Sequence, residues 1–273
     1  MIGAFASFVL WAIAANGVQV QARMQADIDA GKPLVAHVIV ALCDNVHQGI
    51  VPVKPFLGNG EDFKNNLYWG ALYGVKRFLK NSGGWKQLSH TGKMPQGVLD
   101  RIVLVKKIKR NGKLVEAYVV AEAWQGSLIK EATGRFLNLA AGHDAQKLTL
   151  QNTKIIEAGG LAHLIAYIGH DGLMEFDAPV QPEGKSGMAA RSAIVLACMS
   201  KQYFKPLLDK AGAHALTLTT NLMPPEAYTL DATLKAWFEG KNARQSREAG
   251  NRAFVKYQKC SIRAARRLFT GDD

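Results

Sequence analysis

Only three cysteines occur in the 273 residues, Cys43, Cys198 and Cys260, and none are paired as Cys-x-x-Cys. An odd, sparse set excludes a disulfide framework and leaves at least one thiol free. Cys198 with His163 and His170 follows no zinc-ligand spacing, so no metal is expected. No Gly-rich phosphate loop follows an apolar run, because Gly58-Asn59-Gly60 is short and lies mid-loop. Nucleotide-binding motifs are thereby removed, and no cofactor is implied. A Gly-x-Cys-x-Gly elbow is missing, and with it the mark of an α/β-hydrolase thiol. No uncharged apolar run reaches the roughly 20 residues of a membrane span, so no transmembrane span is expected. Acids are scarce, 22 against 34 Lys and Arg, giving a formal charge of +12. That balance suits an anionic partner without choosing one. Nucleic acid is disfavoured, since Tyr68, Trp69 and Tyr73 have no alternating cations and read as packing residues.

What is present is enough for a core. At this length, 48% apolar residues fit one large α/β domain with elaborations. Residues 1–22 read as a secretory leader. Ile2 to Asn16 is uncharged and mostly apolar, with small-residue cleavage options at Ala12-Ile13-Ala14 and Val20-Gln21-Ala22. A periplasmic or secreted protein is therefore expected, a buried N-terminal helix being the alternative. Residues 23–241 read as the α/β domain and 242–273 as a basic helix packed on it.

Leu34 to Leu42 is a β-branched run ending in Cys43-Asp44-Asn45, the first sheet strand. Residues 46–66 are rich in Gly, Pro and Asn and form a long loop, read as a wall of the site. Asn65-Asn66 is expected to cap a helix over 67–80. Asn111-Gly112 joins two alternating runs, 101–110 and 113–122, as a β-hairpin that feeds a helix over 127–141. Another strand covers 215–220. Pro224-Pro225-Glu226 opens a helix to about Gly240. A last helix, 242–269, carries Arg244, Arg247, Arg252, Arg263 and Arg266 against one acid, Glu248.

Between these lie two short apolar runs that end in reactive residues. Leu164 to Ile168 leads into Gly169-His170-Asp171-Gly172, and Ala193 to Ala197 leads into Cys198-Met199-Ser200. Such runs read as buried strands of a parallel sheet, whose carboxyl ends gather ligands and catalytic groups. His170 and Cys198 would then share one edge, as a thiol and its base require.

This arrangement resembles the caspase-like cysteine peptidases, in which one strand ends in a Gly-His or His-Gly turn and the next in Ala-Cys. The matching residues are Gly169-His170 and Ala197-Cys198. The resemblance implies a three-layer caspase-like α/β sandwich, its mainly parallel central sheet flanked by helices, with the β-hairpin as an elaboration. It implies a cysteine endopeptidase acting on peptides or proteins, with His170 as base and Cys198 as nucleophile. The oxyanion would be held by backbone N–H groups of Cys198 and of Asp171 or Gly172. Asp171 would orient His170 or displace the glycine amide. In the family a charged residue in the loop after the first strand holds the side chain before the cleaved bond. Asp44, Glu61 and Asp62 would then select a basic side chain. Alternatively, Asp44 forms an Asx turn, and Glu61 and Asp62 open a helix. Lys185 and Arg191 would permit self-cleavage in the 171–191 loop. The alternative function is an inactive caspase-like domain that binds an anionic envelope component or protein partner through its basic face.

Overall fold

A computed structural model describes residues 17–151, 153–184 and 189–272. Helical backbone runs over 17–29 (α1), with Val20 and Met24 fully buried. The expected leader otherwise falls on residues 1–16, outside those described, as does Lys185. There follow β1 (Leu34–Ala41), α2 (Val75–Asn81), β2 (Lys86–Leu88), β3 (His90–Thr91) and the hairpin β4 (Val98–Arg110) and β5 (Lys113–Trp124). Next come α3 (Ile129–Ala140), β6 (Ala145–Leu150), β7 (Ile155–Gly159), β8 (Leu164–Ile168) and β9 (Ser192–Leu196). The chain closes with α4 (Ser200–Tyr203), α5 (Lys205–Ala211), β10 (His214–Thr219), α6 (Ala227–Phe238), α7 (Ala243–Gln258), α8 (Ile262–Leu268) and β11 (Phe269–Thr270).

Eight strands form the central sheet in the order β11-β10-β9-β8-β1-β5-β4-β2, and β3-β6-β7 form a small antiparallel sheet. The inner strands β5, β1, β8, β9 and β10 are all parallel, and the edges are antiparallel. Alternation along β1 explains the layering. Leu34, Ala36, Val38 and Val40 face an apolar layer with α2, α6 and α7, while Val35, Ile39 and Ala41 face another with α3 and α5. A strand buried on both faces cannot alternate polar and apolar, and β1 is accordingly apolar almost throughout.

The chain runs from β1 to β5 on one side and to β8 on the other. Strand order therefore reverses at β1, and in open α/β sheets the crevice at the carboxyl ends beside such a reversal is where ligands bind. The Cys43-Asp44 and Gly169-His170 turns both leave the sheet there.

Two expected helices differ from those observed. Residues 67–74 form turns, and α2 starts only at Val75. Gly70 and Gly74 pack so tightly that a Cβ would lie 1.9 Å from the Lys64 carbonyl oxygen and 2.5 Å from the Trp69 backbone, and Asn66 is drawn inward as a bracket for the β1 turn. The C-terminal helix is two. Lys259 ends α7 in the left-handed region at φ 54°, and Ser261 caps α8 through the Ala264 N–H.

Candidate active site

Strands β8 and β9 pair in register up to Ile168 and Leu196. The Gly169 N–H continues the pairing to the Leu196 carbonyl at 3.3 Å. His170 and Cys198 each lie two residues beyond the last pair, so their backbones leave adjacent strands side by side. Gly169 permits this: at φ 154° its missing Cβ would sit 2.9 Å from the Ala41 carbonyl oxygen.

The thiol is presented by a tight elbow. Met199 takes a left-handed conformation, φ 52°, unusual for a residue with a side chain. Thr219 and Ser200 hold the elbow: the Ser200 N–H donates to Thr219 Oγ1 (3.1 Å), the Ser200 hydroxyl to the Val195 carbonyl (3.1 Å), and the Thr219 hydroxyl to the Ala197 carbonyl. Cys198 is half-buried, its Sγ 3.5 Å from the Met223 N–H and 3.7 Å from the Met223 carbonyl. Cys43 is sealed beneath the site, and burial pushes its thiol up to about 11. Burial likewise raises the Tyr68 phenol, which lies among the Cys43 and Cys198 thiols.

His170 is buried, and its Nε2 lies 2.6 Å from Glu175 Oε1. That oxygen also accepts the Gly49 N–H at 2.7 Å. Facing a carboxylate, Nε2 carries the proton, so a neutral ring keeps its lone pair on Nδ1. The Tyr167 hydroxyl donates to the His170 carbonyl at 2.9 Å. In this resting arrangement His170 pairs with Glu175 and Cys198 with the Met223 backbone, not with each other.

No family model, no curated protein and no solved structure matches the chain.

Asp171 does not orient His170. Its Oδ1 accepts the Leu173 N–H at 3.0 Å, capping a 3-10 turn over Gly172–Met174, while Oδ2 is buried without a partner among the described residues. Burial pushes this carboxyl up to about 7, and nearby Glu175 adds to the rise. The turn's backbone bonds are donated by Leu173, Met174, Glu175 and Phe176. The expected oxyanion donors, the N–H groups of Cys198, Asp171 and Gly172, take no part in them.

The loop acids are occupied. Asp44 Oδ1 accepts the Val46 (2.9 Å) and His47 (3.1 Å) N–H groups, and Oδ2 meets His47 Nδ1 at 2.9 Å, so the carboxylate closes an Asx turn. Asp62 Oδ1 accepts from the Lys64 (3.0 Å) and Asn65 (3.3 Å) N–H groups, and Asn65 Nδ2 donates to Oδ2, which holds the carboxyl below its usual range. Glu61 pairs with Gln125 Nε2 at 3.2 Å. Arg191 is buried, donating to the Ala140 (2.9 Å) and Ala189 (2.8 Å) carbonyls, which corrects its expected role as a processing point.

Several residues that shape the site carry no sequence motif. Gln48 Nε2 donates to the Leu42 (2.8 Å) and Gly126 (2.9 Å) carbonyls, and Asn66 brackets Cys43 through its N–H and its carbonyl. Glu175 had a legible signal, a carboxylate five residues beyond His170 across a Gly-containing turn. Gln48 and Asn66 had none, because their partners lie up to 78 residues away.

The basic C-terminal segment is partly self-neutralised. Arg266 grips Glu248 through Nε (2.9 Å) and Nη2 (2.7 Å), with Arg252 beside it, and the Arg266 bonds bring that carboxyl down to about 2. Arg247 turns inward to the Leu216 carbonyl at 2.9 Å. These residues line a cavity of about 760 Å³. Among the described residues no helix is long and apolar enough to cross a membrane.

Proposed function

We propose that the chain is a caspase-like cysteine peptidase in which His170 activates Cys198. The observation that carries this reading is their emergence, two residues past the Ile168/Leu196 pair, from adjacent parallel strands at the sheet's carboxyl edge. A half-buried thiol on a strained elbow, with a histidine whose tautomer is fixed by a carboxylate at the end of the neighbouring strand, fits a nucleophile, a base and its orienting group. Resting sites commonly hold such groups apart and close them around substrate.

In the reaction, His170 Nδ1 takes the Cys198 proton as sulfur attacks the peptide carbonyl carbon. The oxyanion that forms meets the Cys198 N–H and one from the His170 turn. Collapse breaks the C–N bond, and the imidazolium returns its proton to the leaving amine. Water, deprotonated by the same imidazole, attacks the thioester, releasing the acid product and restoring the thiol. Glu175 stabilises the imidazolium in both halves.

The test is turnover of a quenched fluorogenic peptide library by the purified chain and by Cys198→Ala and His170→Ala. Cleavage by the native chain is expected, with a loss of at least about 10³-fold in each variant. Cleavage that survives both substitutions belongs to another protein or another site.

A further inference from the structure

The loops that reach the dyad carry exposed apolar side chains at their points of contact. Met223, which meets the Cys198 thiol through its backbone, follows Leu222, 67% exposed. Glu175, which holds His170, follows Met174, 42% exposed. Gly49, which donates to Glu175, lies between Val46 and Val51, 81% and 87% exposed. Three loops far apart in sequence thus each bring a large apolar group to within a few residues of a dyad contact. Single exposed apolar residues need no explanation, but a set converging on one edge marks a binding surface.

Three of the carboxylates on these loops are already occupied. Asp44 is closed into its own turn, Glu175 is shared by His170 and Gly49, and Glu226 accepts from Tyr228 (2.6 Å) and Gln258 (2.9 Å). A basic side chain leaving water needs an unpaired acid, and none of these three provides one. Resting on the peptidase reading, we infer that the substrate is a peptide with large apolar side chains flanking the cleaved bond, held by Leu222, Met174 and Val46/Val51.

The experiment compares three peptidyl acyloxymethyl ketones that differ only in the residue next to the electrophile, Leu, Arg or Asp. Labelling of Cys198 is read by mass spectrometry, and each rate is divided by that protein's own iodoacetamide rate at Cys198. The Leu probe is expected to label at least about tenfold faster than the other two, the scale on which apolar pockets discriminate. Leu222→Ser and Met174→Ser should each reduce that preference severalfold, whereas Leu114→Ser, exposed at the opposite end of the hairpin, should keep it. Both site variants replace exposed side chains, so folding does not confound them. An Arg or Asp probe that labels as fast as Leu overturns the inference, as does a Leu preference unmoved by both site variants, which would leave the apolar set to a protein or membrane contact. If iodoacetamide modifies Cys198 no faster than Cys260, and His170→Ala changes nothing, the peptidase reading itself fails, and this inference with it.

Discussion

Glu175 is positioned to govern His170 without touching a substrate. Its Oε1 receives both the imidazole and the Gly49 amide, so one carboxylate fixes the ring and ties the β8 turn to the β1 loop. Glu175→Gln should keep the bond to Gly49 while removing the charge that favours imidazolium. We expect peptide turnover to fall about 10–10²-fold, within the range of acid–base contributions, with the pH–rate profile displaced and Glu175→Asp partly restoring the rate. A merely structural Glu175 would lower thermal stability and leave that profile in place. Asp171 yields a prediction of opposite character. Its carboxyl is raised to about 7 by burial, so the folded chain holds a proton there that the unfolded chain releases near pH 4. Folded-state stability from this group is therefore complete below about pH 4 and declines as pH rises to about 7. Asp171→Asn keeps the cap to Leu173 and removes the decline. Each tenfold difference in proton affinity between the folded and unfolded chain is worth roughly 1.4 kcal/mol. Denaturant unfolding should therefore show the variant more stable by about 1–3 kcal/mol at pH 8, with the difference vanishing near pH 4.

At the scale of elements, the strand ends decide the site. Gly169→Ala would press a methyl onto the Ala41 carbonyl and part β8 from β1 at its last turn. Overpacking of this kind costs about 1–3 kcal/mol, and here it should also slow Cys198 alkylation, because His170 moves with the turn. The inner strands and the Asn111-Gly112 hairpin were legible because their apolar periods and turn residues are local in sequence. So was the emergence of His170 and Cys198 from adjacent strands at one sheet edge, which follows from parallel strands alone. The 67–74 segment was not legible: its apolar spacing suits a helix, but Asn66 and the close-packed Gly70 and Gly74 serve contacts with residues outside the window. Asp44 illustrates the same limit. Nothing in Cys43-Asp44-Asn45 says whether the carboxylate faces a substrate or its own loop, and here the Val46 and His47 amides claim it.

For the whole molecule, the two apolar layers meet a buried polar cluster at the sheet. Arg101 on β4 donates to Glu122 on β5 through Nε (3.1 Å) and Nη2 (2.7 Å), and His37 on β1 stands 3.4 Å from the same oxygen. Burial alone would push the Glu122 carboxyl up, but His37 and Arg101 outweigh it and bring it down to about 2. Its stabilisation is present above the unfolded carboxylate range near pH 4 and is lost as pH falls toward about 2. Glu122→Gln leaves Arg101 buried without its counter-charge and should cost about 3–5 kcal/mol in denaturant unfolding. The cluster lies on the hairpin side of β1, so its loss weakens the frame from which the dyad loops emerge. The measurement that bears most directly on function is the rate of iodoacetamide alkylation at each of the three cysteines, mapped by mass spectrometry, in the native chain and in His170→Ala. Cys43 is expected to stay protected and Cys198 to react well ahead of Cys260, with its lead lost in the variant. Equal rates at Cys198 and Cys260, unchanged by removal of His170, would contradict a dyad at the strand ends.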